Sequence, residues 1–495
     1  MSTVNSCGRP EVVVAGDLRV PRPDALLIGG EWRPSIGGEV SKIVSPVTES
    51  TVAEVAMPSV EDADAATAAA AEACRGDWPR WSIARRKEVC ARFCSRVEER
   101  LDEIGEVWAV EAGIAVRWSR TLHRFAAKAA WRTALESVEQ ALAPEVRQTS
   151  VGQVRIEHGP VGPVLAVLPY NGPLATIGSK VIPALLAGTA VIVKAAPESA
   201  LIMRIVSECA LDAGFPPGVF SILAADTEVS RHLVRDPRIE LISFTGGPRA
   251  ASDILCQSAE RLPRTVFELG GKSPAVLLED VDLDQAMRSL VAGAMSGSGQ
   301  VCATLSRILV PVSRHDEVVD ALAGSYRALR IGDPRSPDTD HGPLANQAAY
   351  DRTTGFVATA RQEGAEVACG GRRPEGFETG WFYEPTLLVG AGENDSVVQE
   401  EVFGPVTVVQ PYTDVDDAVR IANGTDYGLA ASVYTRDREH GLAVARRIRA
   451  GSVALNTFGP TMAAPFGGVK RSGWGRECGP EGILEFTETK QILMG

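Results

Sequence analysis

Five short segments of this 495-residue chain carry side chains equipped for chemistry. In SGSGQVCATLSR, residues 296–307, Cys302 follows a Gly-rich turn. Glycines permit close backbone approach and leave the thiol reachable, as a nucleophile requires. Taken alone, Cys302 reads as one more small buried residue, the commoner fate of a cysteine. Its company changes that reading. Some 34 residues earlier, TVFELGGKSP places Glu268 at the end of an expected strand, just before two glycines. Partial burial there raises a carboxylate's pKa and suits it to general-base work, whereas a solvated strand-end glutamate is the plain alternative. In VLPYNGPL, Asn171 follows another expected strand. A fixed amide donor stabilises an oxyanion without neutralising it, although NG is also a common turn dipeptide. Lys194 ends a strand in AVIVKAAPES, a position suited to ribose hydroxyls or phosphates; otherwise it is a surface lysine. In ISFTGGPRAAS, Gly246 and Gly247 open a helix with Pro248 at its first position, where free N–H groups make an anion site.

Such groups need a scaffold, and the alternation of elements supplies one. VGPVLAVLP, TAVIVKA, VFSIL, IELISF and TVFEL are apolar, β-branched runs separated by helical segments, the pattern of a parallel sheet covered on both faces. A second series, SPAVLLE, RILVPVS, PTLLV, VTVVQPY, AASVYT and GSVALN, has helices of its own. The fold class is therefore α/β with two such domains joined near residues 270–274, and the chemistry is expected beyond the carboxyl ends of the strands, where the domains face each other. Before them, residues 61–143 read as Ala-, Leu-, Glu- and Arg-rich amphipathic helices. The first 24 residues show no period and are expected to form a loose or docked tail.

Composition narrows the class. With 50 Lys and Arg against 63 Asp and Glu the formal charge is −13, which argues against the nucleic-acid backbone or an anionic membrane as main partner. Nine cysteines without a CxxC pair fit a reducing cytoplasm better than a disulfide framework. Six scattered histidines leave no metal-ligand pattern, so no metal is expected. The N-terminus lacks the basic and apolar regions of a signal peptide, and Asn171, Lys180 and four prolines interrupt the most apolar stretch, 161–193, before it reaches the length of a membrane span.

Together the five segments, with EEVFGPV (400–406), DYGLAASVYT (426–435), GSVALN (451–456) and PFGGVKRSGWGRECGPEG (465–482), resemble the aldehyde dehydrogenase superfamily over nearly the whole chain. The resemblance implies a Rossmann-like cofactor domain (25–143 and 159–269), a catalytic domain (270–482) and a small β oligomerisation extension (144–158 and 483–495), assembled as a homodimer or homotetramer. It implies that the Cys302 thiolate attacks an aldehyde, that Asn171 and the Cys302 N–H hold the oxyanion, that hydride passes to NAD or NADP, and that Glu268 activates water to release the acid. Retention of Glu268 favours hydrolysis over transfer to coenzyme A. Cofactor contacts are expected at Lys194, Pro197, Glu198, Ala225, Gly246, Gly247, Ala251, Leu269, Glu401 and Phe403. Pro197 stands where the family has its ribose-binding carboxylate, with Glu198 one residue later, which removes repulsion of a 2′-phosphate; because no new cation appears beside Lys194 to attract one, NAD is favoured and NADP is the alternative. The substrate pocket is assigned to Tyr170, Gly172, Leu174, Phe125, Val301, Ala303, Phe458 and Phe466. Gly172 replaces a bulky aromatic of many relatives, and the uncharged segment NTFGPTMAAPF adds apolar surface, so the expected substrate is an apolar aliphatic, terpenoid or aromatic aldehyde. A semialdehyde dehydrogenase and a non-catalytic binding protein that kept the fold are the alternatives. A Cys-His hydrolase is disfavoured because no histidine lies in a partner motif.

Overall fold

The computed structural model describes residues 2–4 and 10–494. The first domain is built on five parallel strands, β1 (Val164–Leu168), β2 (Val191–Ala195), β3 (Phe220–Ala224), β4 (Leu241–Gly246) and β5 (Arg264–Leu269). Their order across the sheet is β5-β4-β1-β2-β3, extended by an antiparallel pair, Ala25–Ile28 and Glu31–Pro34, beside β3 and by Gly473–Trp474 beside β5. Side chains alternate across the strands. Val164, Ala166 and Leu168 join one buried core, while Leu165, Ile192 and Ile242 join the core on the opposite face. A sheet wetted on neither face must be apolar throughout, which is why these runs are continuous rather than alternating.

Strand order reverses between β1 and β4, and the crevice that opens beyond their carboxyl ends receives the segments after each strand. Asn171 follows β1, and Thr245 and Gly246 close β4.

The second sheet contains β6 (Ser273–Leu277), β7 (Leu305–Pro311), β8 (Glu366–Cys369), β9 (Thr386–Val389), β10 (Val406–Tyr412), β11 (Ala430–Tyr434) and β12 (Ser452–Leu455). Its order is β8-β9-β10-β7-β6-β11-β12, parallel apart from the β8 edge. The connection from β5 to β6 is only Gly270–Gly271–Lys272, so Glu268 on the first sheet sits at the seam with the second.

Gly152–Pro160 pairs antiparallel with Glu145–Thr149 on one side and with Thr487–Met494 on the other, a small sheet set apart from both domains. Near the N-terminus, Pro10–Ala15 and Leu18–Pro21 pair as strands and bury Val12, Val14 and Val20 in the first core. Among the described residues no helix is long and apolar enough to cross a membrane.

Candidate active site

The loop that presents Cys302 is fixed before it reaches the thiol. The helix Leu283–Met295 ends, and Gly297, Ser298 and Gly299 follow in left-handed conformation, with φ of 59°, 57° and 72°. Gly299 is required on a second ground: a Cβ there would come within 2.2 Å of the Gly404 carbonyl oxygen. Ser298 tolerates its backbone strain because its Oγ donates to the Gly342 carbonyl at 2.8 Å.

Gln300 then ties this loop to the other domain. Its backbone carbonyl accepts from Asn171 Nδ2 at 2.8 Å, its Oε1 accepts from Tyr170 Oη at 3.0 Å and from Ala345 N at 3.1 Å, and its Nε2 donates to Gly297 O at 3.1 Å. Adjacent residues of one domain thus grip one glutamine of the other by main chain and side chain. One N–H of the Asn171 amide is committed, which fixes the amide plane and leaves the second N–H for the cavity.

Cys302 and Glu268 face each other. Burial pushes the thiol well above its ordinary value, and the charges of Glu268 and Glu401 add to the effect. Burial likewise raises Glu268 to about 8, reinforced by the neighbouring Glu477 and opposed by Lys180. A thiol reluctant to ionise beside a carboxyl whose pKa is raised can act as nucleophile and base, because the proton has somewhere to go.

Behind Glu268 lies an ion pair that sequence reading did not single out. Lys180 is fully buried and paired with Glu477, whose Oε2 accepts from Ser179 Oγ at 2.6 Å; Lys180 Nζ also donates to Ser243 Oγ at 3.1 Å. The available signal was a lone lysine inside the most apolar stretch of the chain, since a buried ammonium demands a partner. Glu477 reaches it because Gly473–Trp474 pairs with β5 at Phe267 and Glu268.

The residues expected to hold the cofactor lie at or just after the carboxyl ends of β2, β3, β4 and β5 and on the second domain beside Gly270. Lys194 lies near the end of β2, and burial lowers it to about 8 despite the opposing charges of Glu198 and Asp226. Glu198 spans the domains, its Oε1 accepting from Asn346 Nδ2 at 2.8 Å. Pro197 opens the short turn Pro197–Ser199. The helix Pro248–Ser258 starts after Gly247 with no side-chain cap, leaving the N–H groups of Arg249 and Ala250 without an intrahelical partner. Glu401 folds against Gly270, where a Cβ would meet its Oε2 at 2.0 Å, and its Oε1 accepts from Gly271 N at 3.2 Å. Phe403, at φ 54°, lies edge-on to Tyr170 with ring centres 6.2 Å apart. Ala225, Ala251 and Leu269 are buried in the sheet core, so any cofactor contact from them is through backbone.

A cavity of about 410 Å³ opens over Cys302, with Asn171, Thr245, Glu268, Val301 and Ala303 among its lining residues. Trp118, Leu122, Phe125, Phe458, Met462 and Phe466 supply apolar wall, and among the described residues no lysine or arginine lines it. Gly172 lines it too, and a Cβ there would find its nearest neighbour at 3.9 Å, so the absent side chain is open space. Phe125 is 66% exposed, on a π-helical turn, His123–Ala127. Tyr170 and Leu174 are not on this wall: the Tyr170 hydroxyl goes to Gln300, and Leu174 is buried in the first core. His123 is buried and stacked on Trp108, and burial lowers it to about 4, so it brings no charge to the tunnel. On the far side of the first domain, Asp64, His232 and Asp236 gather potential ligand atoms, but Arg238 pairs with both carboxylates.

These features define a two-domain α/β oxidoreductase with a cysteine at the interdomain floor. Residues 32–492 match the aldehyde dehydrogenase family model, and the chain belongs to that family. It is 36% identical to geranial dehydrogenase of Castellaniella defragrans, over 95% of this chain and 98% of that protein. It is also 36% identical to 3-succinoylsemialdehyde-pyridine dehydrogenase of a Pseudomonas species, over 94% and 97%. The fold superposes on Mycobacterium tuberculosis aldehyde dehydrogenase complexed with NAD+ at a TM-score of 0.93, with 36% identity over 95% of this chain and 98% of that one. Betaine aldehyde dehydrogenase of Staphylococcus aureus, in complex with NAD+, gives 0.92 at 29% identity over 95% and 94%.

Proposed function

We propose that this enzyme oxidises an apolar aldehyde, of medium aliphatic, terpenoid or aromatic type, to the free carboxylic acid, with NAD as hydride acceptor. The observation that carries the reading is the placing of Cys302, Asn171 and Glu268 at the base of a cavity whose described wall has no cation to hold a second carboxylate. The similarity to a geranial dehydrogenase supports the terpenoid arm.

The Cys302 sulfur adds to the carbonyl carbon as its proton passes to the Glu268 carboxylate. Asn171 Nδ2 and the Cys302 backbone N–H hold the oxyanion, and their worth lies in being fixed before charge develops. A bound oxidised dinucleotide supplies the acceptor for the hydride that the tetrahedral carbon releases. Cys302 then carries an acyl thioester; Glu268 gives up the thiol proton to solvent, and its carboxylate takes a proton from the water that cleaves the thioester.

The residues present fit such a dinucleotide. Lys194 and Glu401 would hold ribose hydroxyls, and the uncapped helix start after Gly247 would offer N–H groups to a pyrophosphate. A Cβ on Gly247 would meet nothing within 4 Å, so the approach to those N–H groups is open. Glu198, whose charge acts on Lys194, would repel a 2′-phosphate there, which supports NAD over its 2′-phosphorylated form. The small sheet formed by 145–149, 152–160 and 487–494 is assigned to assembly of a homodimer or homotetramer, which light scattering checks.

The test is absorbance at 340 nm with octanal, citral, benzaldehyde and succinic semialdehyde, each with NAD and with NADP, and Cys302→Ser as control. Highest kcat/KM for octanal, citral or benzaldehyde with NAD is expected. Preference for succinic semialdehyde, or for NADP, overturns that part of the reading.

A further inference from the structure

Two buried oxygens face the same cavity with no hydrogen-bond partner among the described residues: Glu268 Oε1 and Thr245 Oγ1. Buried polar atoms are nearly always satisfied, and a pair left open side by side points to a small ligand. β4 and β5 run parallel with Thr245 directly opposite Glu268, so the two side chains leave the same face of the sheet on neighbouring strands. The residues between confirm the face. Phe244 and Phe267 point the other way, their rings 5.9 Å apart in the opposite core, whereas Ser243, two residues before Thr245, reaches Lys180 on the cavity side. Ser243 is partnered; Thr245 is not.

We propose that Thr245 is a catalytic residue that, with Glu268, holds the water that cleaves the acyl thioester. This rests on the hydrolytic reading above and assigns a residue to its last step. The bound water donates one hydrogen to Glu268 Oε1 and the other to Thr245 Oγ1. Its lone pair then points at the thioester carbonyl carbon above Cys302. The water oxygen bonds to that carbon as its proton moves to Glu268. The carbon–sulfur bond breaks, its electron pair stays on Cys302 Sγ, and the proton held by Glu268 returns to the sulfur. One water and one thioester give one carboxylic acid and one thiol, with no change of oxidation state. Two fixed acceptors suffice to orient a buried water, and a hydroxyl without a partner is otherwise a cost to the fold.

Thr245→Val removes the hydroxyl and keeps the branched shape; Thr245→Ser keeps the hydroxyl. Rapid mixing of enzyme, NAD and octanal reads the burst of absorbance at 340 nm, and intact mass of acid-quenched enzyme reads the acyl adduct on Cys302. For Thr245→Val the burst rate should match wild type, the steady-state rate should fall roughly tenfold, the loss of about one hydrogen bond, and the adduct should accumulate. Thr245→Ser should stay within about twofold. An unchanged steady-state rate for Thr245→Val, or a slowed burst without accumulating adduct, overturns the assignment. Absence of aldehyde-dependent reduction by the wild-type enzyme overturns instead the reading on which it rests.

Discussion

Replacing Glu477 by Gln tests the polar layer behind the base, because the structure gives its two consequences opposite signs. Lys180 has no exposed surface and the Glu477 side chain is 7% exposed, so the variant leaves a buried ammonium without its counter-charge. Breaking such a pair costs about 3–5 kcal/mol; the glutamine amide can still bond Ser179 and accept from Lys180, which favours the lower end. For a domain of this size that lowers Tm by on the order of 10 °C. At the same time the second-largest influence raising Glu268 disappears, so its pKa falls from about 8. The working form of the base is the carboxylate, so activity rises with pH through that pKa. The acid limb of kcat should therefore move to lower pH in Glu477→Gln while the protein becomes less stable. Differential scanning fluorimetry and a kcat profile from pH 5.5 to 9.5 read the two effects. An acid limb that stays in place or moves to higher pH, with the predicted loss of stability present, would refute the electrostatic link between Glu477 and Glu268.

Three further outcomes follow from single contacts. Glu268→Gln removes a group whose folded pKa lies near 8, well above its unfolded value, so burial of its charge works against the fold increasingly as pH rises from about 5 through 8. The variant should gain stability relative to wild type over that window while steady-state turnover falls at least 100-fold, measured by thermal melts and by absorbance at 340 nm. Gly172→Phe fills open cavity space, since a Cβ there would find its nearest neighbour at 3.9 Å. KM for octanal should rise about tenfold or more while that for propanal changes less than twofold. Tyr170→Phe deletes the 3.0 Å bond to Gln300 and with it one restraint on the Asn171 amide, so kcat should fall about fivefold with KM for aldehyde unchanged. Tyr170→Trp, whose indole N–H can donate in its place, should recover part of the loss.

The parallel strands were legible because burial on both faces forces continuous apolar runs, and Val164–Leu168 and Val191–Ala195 are such runs. The meeting of Cys302, Asn171 and Glu268 around one cavity was legible because each sits where a strand end or Gly-rich turn delivers a side chain to the crevice. Contacts distant in sequence were not. Nothing local announces that Lys180 and Glu477, separated by 297 positions, meet behind Glu268. Tyr170 and Leu174 were placed on the pocket from their nearness to Asn171, but that proximity does not say which way a side chain turns. Tyr170 turns to Gln300 and Leu174 into the core. At Pro10–Pro21 the spacing of Val12 and Val14 held a period-2 signal too short to stand out against the surrounding Gly, Pro and charge. Thr245 carries no motif of its own; its interest arises only from register with Glu268.

The central claim is that Cys302 carries the acyl group within an apolar cavity, and trapping tests it most directly. Glu268→Gln enzyme is incubated with octanal and NAD at pH 8.5, quenched in acid and digested, and the peptide containing Cys302 is weighed. The account predicts an octanoyl group on that peptide in most molecules, with none when NAD is omitted. An unmodified Cys302 peptide despite NADH formation, or an acyl group found instead on Cys478 across the same cavity, would contradict it.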